Sequence, residues 1–234
     1  MNEMDRNNFY SNNVTVEQTN GFVRKVLLNM VLGILITAIV PVYCIEFNQG
    51  LLWKLQSYIN FILIGQVILV LVLSMGINKM STLMARMMFF LYAFTNGIVL
   101  SGVSFVFGIG NVLYALAITM VLFLVTGIYG YTTHEDLTKY SKFLMGALIT
   151  IIIVSIINFF IGAPLIYWGI TVLGVVIFSA LIAYDINRIK NLAINAGSID
   201  GETLEKLGIF GALSLYLDFI NLFLYILRLT SRKK

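Results

Sequence analysis

Two aspartates stand apart from the other acidic residues. Asp218 lies inside "LYLDFINLF" (215–223), within a run from Ile209 to Leu227 that holds no other charge. Asp185 ends the apolar run "FSALIAYD" (178–185), and the remaining acidic residues fall in polar tails or connecting segments. A charge at the centre of a helix in lipid costs roughly 2.5–3.5 kcal/mol on insertion scales, so such a group usually faces protein or water and often marks a functional position. Two carboxyls held close together in a dry setting resist double ionisation and titrate as one unit. A shared proton could hold two helices together at neutral pH; its loss would push them apart or invite a cation. Hard oxygen ligands suit Ca²⁺, although two carboxylates alone make a weak metal site.

Residues three, four and seven apart share a helical face. The face of Asp218 reads Gly211, Ser214, Asp218, Asn221, Tyr225, a polar stripe on an apolar helix. Facing lipid it would leave these groups unpaired, so the last helix is expected to be central, with its stripe toward other helices. Gln66, Asn96 and Asn158 are polar groups on other spans that could meet it. Arg86, Lys79 and Arg188 are cations that could pair with an ionised Asp185. The structural alternative is a neutral, hydrogen-bonded Asp218 and an interfacial Asp185 anchored to Arg188.

These residues need a scaffold, and composition names its class. Hydrophobic residues are 59% of the 234 and charged residues 11%, less than half the roughly 25% of a soluble domain; mean hydropathy is +0.93. The chain reads as an all-α integral membrane protein. Spanning a ~30 Å core takes about 20 apolar residues as helix, and seven such segments lie at about 23–45, 57–77, 84–107, 112–133, 141–162, 164–184 and 209–229. The runs are continuous and too long for barrel strands, which alternate over ~10 residues. Residues 1–21 read as a polar, disordered tail, 22–230 as one seven-helix domain and 231–234 as a basic tail. "THEDLTKYSK" (133–142) and "DINRIKNLAINAGSIDGETLEKLG" (185–208) read as loops, with "ETLEKL" a short surface helix. Gly97, Ser101 and Ser104, and Gly127 beside Tyr131, mark close helix packing.

Cations set the orientation. Arg6, Arg24, Lys25, Lys79, Arg86, Lys139, Lys142, Arg188, Lys190 and Lys206 fall on one side, so the positive-inside rule makes the N-terminus cytoplasmic. Seven full spans then put Arg228, Arg232, Lys233 and Lys234 outside, where a re-entrant last segment would bring them in; the length of 209–229 favours a full span. Nine residues at 1.5 Å each put Asp218 roughly 14 Å from Ile209, near mid-bilayer. By the same rise Asp185 lies ~5 Å below the surface. Contact between them therefore needs the last helix to start later, near Gly211 or Leu213, or a water-filled funnel.

Other chemistries find little support. Intramembrane aspartyl proteases also use two aspartates on successive helices, and Tyr184–Asp185 fits the first. The Gly-x-Gly-Asp pattern of the second is missing, since Leu215, Tyr216 and Leu217 precede Asp218. His134 is the only histidine and Cys44 the only cysteine, so a metal centre, a resident cofactor and thiol chemistry are not expected, nor is enzymatic activity. The cations beside apolar runs set topology and do not suggest nucleic acid. A proton-coupled transporter is a further possibility, since buried carboxylates also run exchange; paired Gly–Pro helix breaks at mid-membrane are missing.

"FSALIAYDINRIK" (178–190) followed by "GALSLYLDFINLFLYILRL" (211–229) resembles the signature end of the Bax inhibitor-1 (transmembrane Bax inhibitor motif) family. "TTHEDLTKYSKFL" (132–144) is similar to its fourth loop and "FVRKVLLNMVLGILITAIV" (22–40) to its first span. The resemblance implies seven helices with the last enclosed by the other six. It implies a pH-sensitive calcium leak whose sensor is the hydrogen-bonded pair matching Asp185 and Asp218. Its partners would be Ca²⁺, H⁺ and the bilayer, in a bacterial plasma membrane. Bacterial members are described as ion leaks or as modulators of a membrane protease, which adds a second membrane protein as a partner and a non-conducting regulator as an alternative. Gln66 stands where some prokaryotic relatives carry an acidic residue.

Overall fold

Eight α-helices carry almost all of the described residues: α1 (Glu3–Val42), α2 (Gln49–Gln56), α3 (Ile59–Gly76), α4 (Thr82–Phe107), α5 (Ile109–Thr132), α6 (Ser141–Ile161), α7 (Pro164–Ile194) and α8 (Gly201–Thr230). The computed structural model describes residues 3–196 and 199–231, with side chains from residue 17 onward, Asn78 apart. No strand occurs among the described residues. All but the eight-residue α2 are long and apolar enough to cross a membrane, giving seven spans. Each backbone polar group in such a span is satisfied within its own helix, which the bilayer core requires.

Local chemistry sets the ends. Pro41 lies in the last turn of α1, which then widens into a π turn at Tyr43–Phe47. Gly162, at φ +69°, ends α6 in the left-handed region that only glycine enters freely. Pro164 then opens α7 at the first helical position, where its missing N–H costs nothing. Asp200 caps α8 by accepting a hydrogen bond from the Thr203 N–H at 3.0 Å.

Three sequence expectations are corrected. The segment expected as a polar tail is helical from Glu3 and continuous with the first span. It contains no proline to interrupt it, and extending an existing helix is far easier than nucleating one. The expected loop 185–208 is mostly helix, because α7 runs on to Ile194 and α8 starts at Gly201. Ile186, Ile189 and Ala193 are buried, an apolar stripe at helical spacing that intervening Asn, Arg and Lys obscured. "ETLEKL" is the first part of α8 and not a separate surface helix. In the first expected loop, Leu137–Tyr140 forms a 3₁₀ turn leading into α6.

The described chain forms two compact units: 1–99 with 189–213, and 100–188 with 214–234. In the first, the front of α8 lies on α1, where Gly208 and Gly211 face Phe22 and Val26. Arg86 of α4 pairs with Glu205 of α8 at 2.6 Å, and Gly97 lets α4 approach Val40 of α1. In the second unit, the rear of α8 meets α5 through Phe123–Phe219, whose centroids are 5.8 Å apart. It meets α6 through Ser155–Tyr225 and α7 through Phe178–Tyr225. Helix α8 is the most buried span: 61% of its apolar window is covered, against 11–39% for the others. It is one unbroken helix, not a re-entrant hairpin.

Candidate functional site

A carboxyl pair lies between α7 and α8 in the second unit. Asp185 comes from α7 and Asp218 from α8; both are buried, 5% and 8% exposed. The two carboxyls are close enough to interact electrostatically. A direct bond between them would need a proton on one member, because ionised carboxylates are acceptors only.

The pair is asymmetric. Arg188, one helical turn after Asp185, places Nη2 3.2 Å from Asp185 Oδ1. The same nitrogen donates to Ser214 Oγ at 3.4 Å, and the Ser214 hydroxyl in turn bonds to Asp185. Asp185 thus has a cation, a hydroxyl and the other carboxyl around it. Asp218 Oδ2 is buried with no hydrogen-bond partner. A low-dielectric site makes an unpaired polar atom expensive, so such an atom needs a specific reason.

The helices meet differently from the sequence expectation. The last helix does not start late; it begins eight residues earlier than Ile209. The change lies in α7, which continues nine residues past Asp185, roughly 14 Å at 1.5 Å per residue. Asp185 is therefore well inside its helix. Antiparallel register is fixed by two contacts, Asp185 with Asp218 and Phe178 with Tyr225. It puts the pair far from Pro164, toward the α7–α8 connection.

The other expected residues divide. Ser214 and Arg188 belong to the cluster. Gly211 is buried, with space for a Cβ ending 3.1 Å from Ile189. Asn221 does not reach another helix; its Nδ2 donates to the Leu217 carbonyl of α8 at 2.8 Å, a short-range bond that an isolated polar stripe cannot distinguish from a long-range one. Tyr225 stacks on Phe178 at 5.7 Å and lies under Arg228. Asn158 caps the α6–α7 turn by accepting from the Ala163 N–H at 3.1 Å. In the first unit, Gln66 donates to Thr95 at 3.4 Å, the Asn96 Nδ2 is buried without a hydrogen-bond partner, Arg86 is taken by Glu205 and Lys79 is exposed. Of the three cations weighed for Asp185, Arg188 makes the bond.

Sequence reasoning missed Asn187, which is 1% exposed. Its Oδ1 accepts from the Leu137 N–H at 3.0 Å, and its Nδ2 donates to the Gly130 and Glu135 carbonyls at 3.2 Å each. It ties the α5–α6 connection to α7 between Asp185 and Arg188. A polar residue in a presumed loop gave no signal for this. Among the described residues no three His, Cys, Asp or Glu side chains gather as metal ligands.

A family model described as "Inhibitor of apoptosis-promoting Bax1" matches residues 19–234. The chain belongs to the Bax inhibitor-1 family. Bacterial relatives agree along most of its length. The chain is 36% identical over 207 residues to the inner membrane protein YbhL of Escherichia coli K12, covering 88% of each chain. It is 36% identical over 219 residues to a protein of Borreliella burgdorferi, covering 92% of this chain and 93% of the relative. A membrane protein of Streptococcus pyogenes is 36% identical over 167 residues, 71% of each. The family match includes both aspartates. This Bax inhibitor-1 family chain is a multi-pass membrane protein whose most buried span carries Asp218.

Proposed function

We propose that this protein is a pH-sensitive calcium leak of a bacterial plasma membrane, with its N-terminus in the cytoplasm, gated by the proton shared between Asp185 and Asp218. The observation that carries this reading is the asymmetry of the pair: one carboxyl has a guanidinium beside it and the other has a bare buried oxygen. With one proton on the pair, Arg188 balances the single negative charge. When that proton leaves, a second charge develops with no second cation. Two unit charges ~4 Å apart at an effective dielectric of ~20 repel by about 4 kcal/mol. Such a term shifts a two-state equilibrium by roughly a thousandfold. Either α7 and α8 separate at this level, or a divalent cation enters to balance the charge. Ca²⁺ is cargo in this scheme, bound weakly by two carboxylates in passing.

Ca²⁺ flux through the purified protein in liposomes, followed between about pH 6 and 8, tests this. The wild type should show a pH-dependent leak. The double variant Asp185→Asn, Asp218→Asn keeps size and hydrogen bonding but cannot titrate, and its flux should lose the pH dependence. A folded double variant with the wild-type pH profile would falsify the shared-proton gate. No flux above protein-free liposomes replaces the leak by a non-conducting regulator of another membrane protein. Flux strictly tied to opposing proton movement makes it an exchanger.

A further inference from the structure

A second site lies in the first unit, independent of the leak reading. A cavity of about 480 Å³ opens where α1, the start of α4 and the start of α8 meet. Its size falls in the ~300–1,000 Å³ range of small-molecule sites, larger than a bare inorganic anion needs. Its wall is of two kinds. Lys25, Asn29, Arg86 and Glu205 are the polar side, and Phe22, Val26, Leu28 and Leu204 the apolar side.

Charges on the polar side do not cancel. Glu205 pairs with Arg86 through the guanidinium Nη2 at 2.6 Å. Lys25 remains, so the three charged side chains carry one excess positive charge. Arg86 Nε is buried and has no hydrogen-bond partner, although it belongs to a residue on the cavity wall. The rest of its guanidinium is accessible, since the Arg86 side chain is 40% exposed, and a guanidinium favours phosphate oxygens. The site lies at the end of the spans where cations cluster, level with the start of α4 and the first two turns of α8. Lipid headgroups border the ends of membrane spans, and the positive-inside rule assigns this end to the cytoplasm.

We infer that this cavity binds the headgroup of one anionic phospholipid from the cytoplasmic leaflet, its phosphodiester on Lys25 and the accessible face of the Arg86 guanidinium and its glycerol and upper acyl chain along Phe22, Leu28 and Leu204. One phosphodiester matches the single excess charge. The apolar wall selects lipid over a free anion, because an inorganic phosphate would leave that side uncovered. The amide of Asn29 supplies a further donor or acceptor for the glycerol or ester oxygens.

The test is lipid retention by the full-length protein in detergent, read by native mass spectrometry and by the shift in unfolding temperature on adding lipid. Phosphatidylglycerol should leave one molecule bound and raise the unfolding temperature more than phosphatidylcholine does. Lys25→Gln should weaken retention by about tenfold, equivalent to ~1.4 kcal/mol. Arg86→Lys keeps the charge but removes the planar guanidinium fork, and should weaken retention by a similar factor. Gly201 lines the cavity, and a Cβ there meets nothing within 4 Å; Gly201→Leu should therefore exclude lipid sterically while leaving every charge in place. Equal retention of both lipids, or unchanged phosphatidylglycerol binding in all three variants, overturns the site. A full effect from millimolar inorganic phosphate alone overturns the lipid assignment in favour of a soluble anion.

Discussion

Asn187 carries more of the local architecture than its position in the sequence suggests. Replacing it by alanine strands the Leu137 N–H and removes a donor from two carbonyls, at a cost of about 1–3 kcal/mol for the buried donor alone. Unfolding of Asn187→Ala in detergent should show that loss. Asn187→Asp keeps the acceptor for Leu137 but loses both donated bonds, and should also be destabilised. Three carboxyls outside the spans define a separate acid response. Hydrogen bonds from Thr203 to Asp200 and from Thr138 to Asp136 hold both carboxyls below their ordinary values, and Lys139 with Tyr140 does the same for Glu135. A carboxyl lowered by folding contributes stability that is present above its unfolded value and lost as pH falls through the folded value. Acid unfolding of the wild type should therefore steepen below the ordinary carboxylate range. Asp200→Asn and Asp136→Asn retain a capping oxygen without the titration, and their acid slopes should be shallower in the same experiment. These side chains could not be ranked from sequence. Asp185 and Asp218 stood out because charge in or beside an apolar run is rare, whereas Asn187 and the Asp200 cap depend on which backbone groups come to them.

At the scale of elements, hydropathy made the seven spans legible but placed several ends wrongly. At the end of α7 and the start of α8 the errors fall where a helix leaves the apolar layer and goes on as an amphipathic one. There hydropathy drops while the helical period continues, as at Ile186, Ile189 and Ala193. The small-residue seams were legible and have backbone consequences. Gly97 faces Val40 and Gly127 faces Ile186. Gly130 is tighter still, since a Cβ there would run into the backbone of Ala183 on α7. Backbone cannot rotate away as a side chain can, so Gly130→Ala must separate α5 from α7. We expect a loss of about 1–3 kcal/mol or more, with the Asn187–Gly130 bond disrupted at the same time. Gly146 on α6 has nothing within 4 Å of a Cβ. Gly146→Ala should be neutral or stabilise by up to ~1 kcal/mol through helix entropy. Thermal unfolding of the two variants side by side checks the contrast; equal behaviour would show that α5 and α7 are not in backbone contact.

For the molecule as a whole, the charge conflict at the C-terminus has a geometric counterpart in the second unit. From the carboxyl pair, α7 runs 21 residues to Pro164, roughly 32 Å, while α8 runs only 12 to Thr230, roughly 18 Å. The Phe178–Tyr225 stack keeps the two in register along the way. The free end of α8 therefore stops ~14 Å short of the end of α7 by the same rise, and Arg228, above the Tyr225 ring at 5.2 Å, is drawn below the level of Pro164. A guanidinium at that depth needs water, so the short end of α8 implies a hydrated recess at the end of the second unit marked by Pro164. A fixed positive charge at the floor of such a recess is an entry barrier for divalent cations and leaves carriers moving the other way less affected. Under the leak reading, the conductance should rectify. Salt screens the barrier, with a Debye length falling from ~30 Å at 0.01 M to ~10 Å at 0.1 M. Current–voltage curves recorded across that range should lose their asymmetry as salt rises, and Arg228→Gln should lose it at every salt concentration.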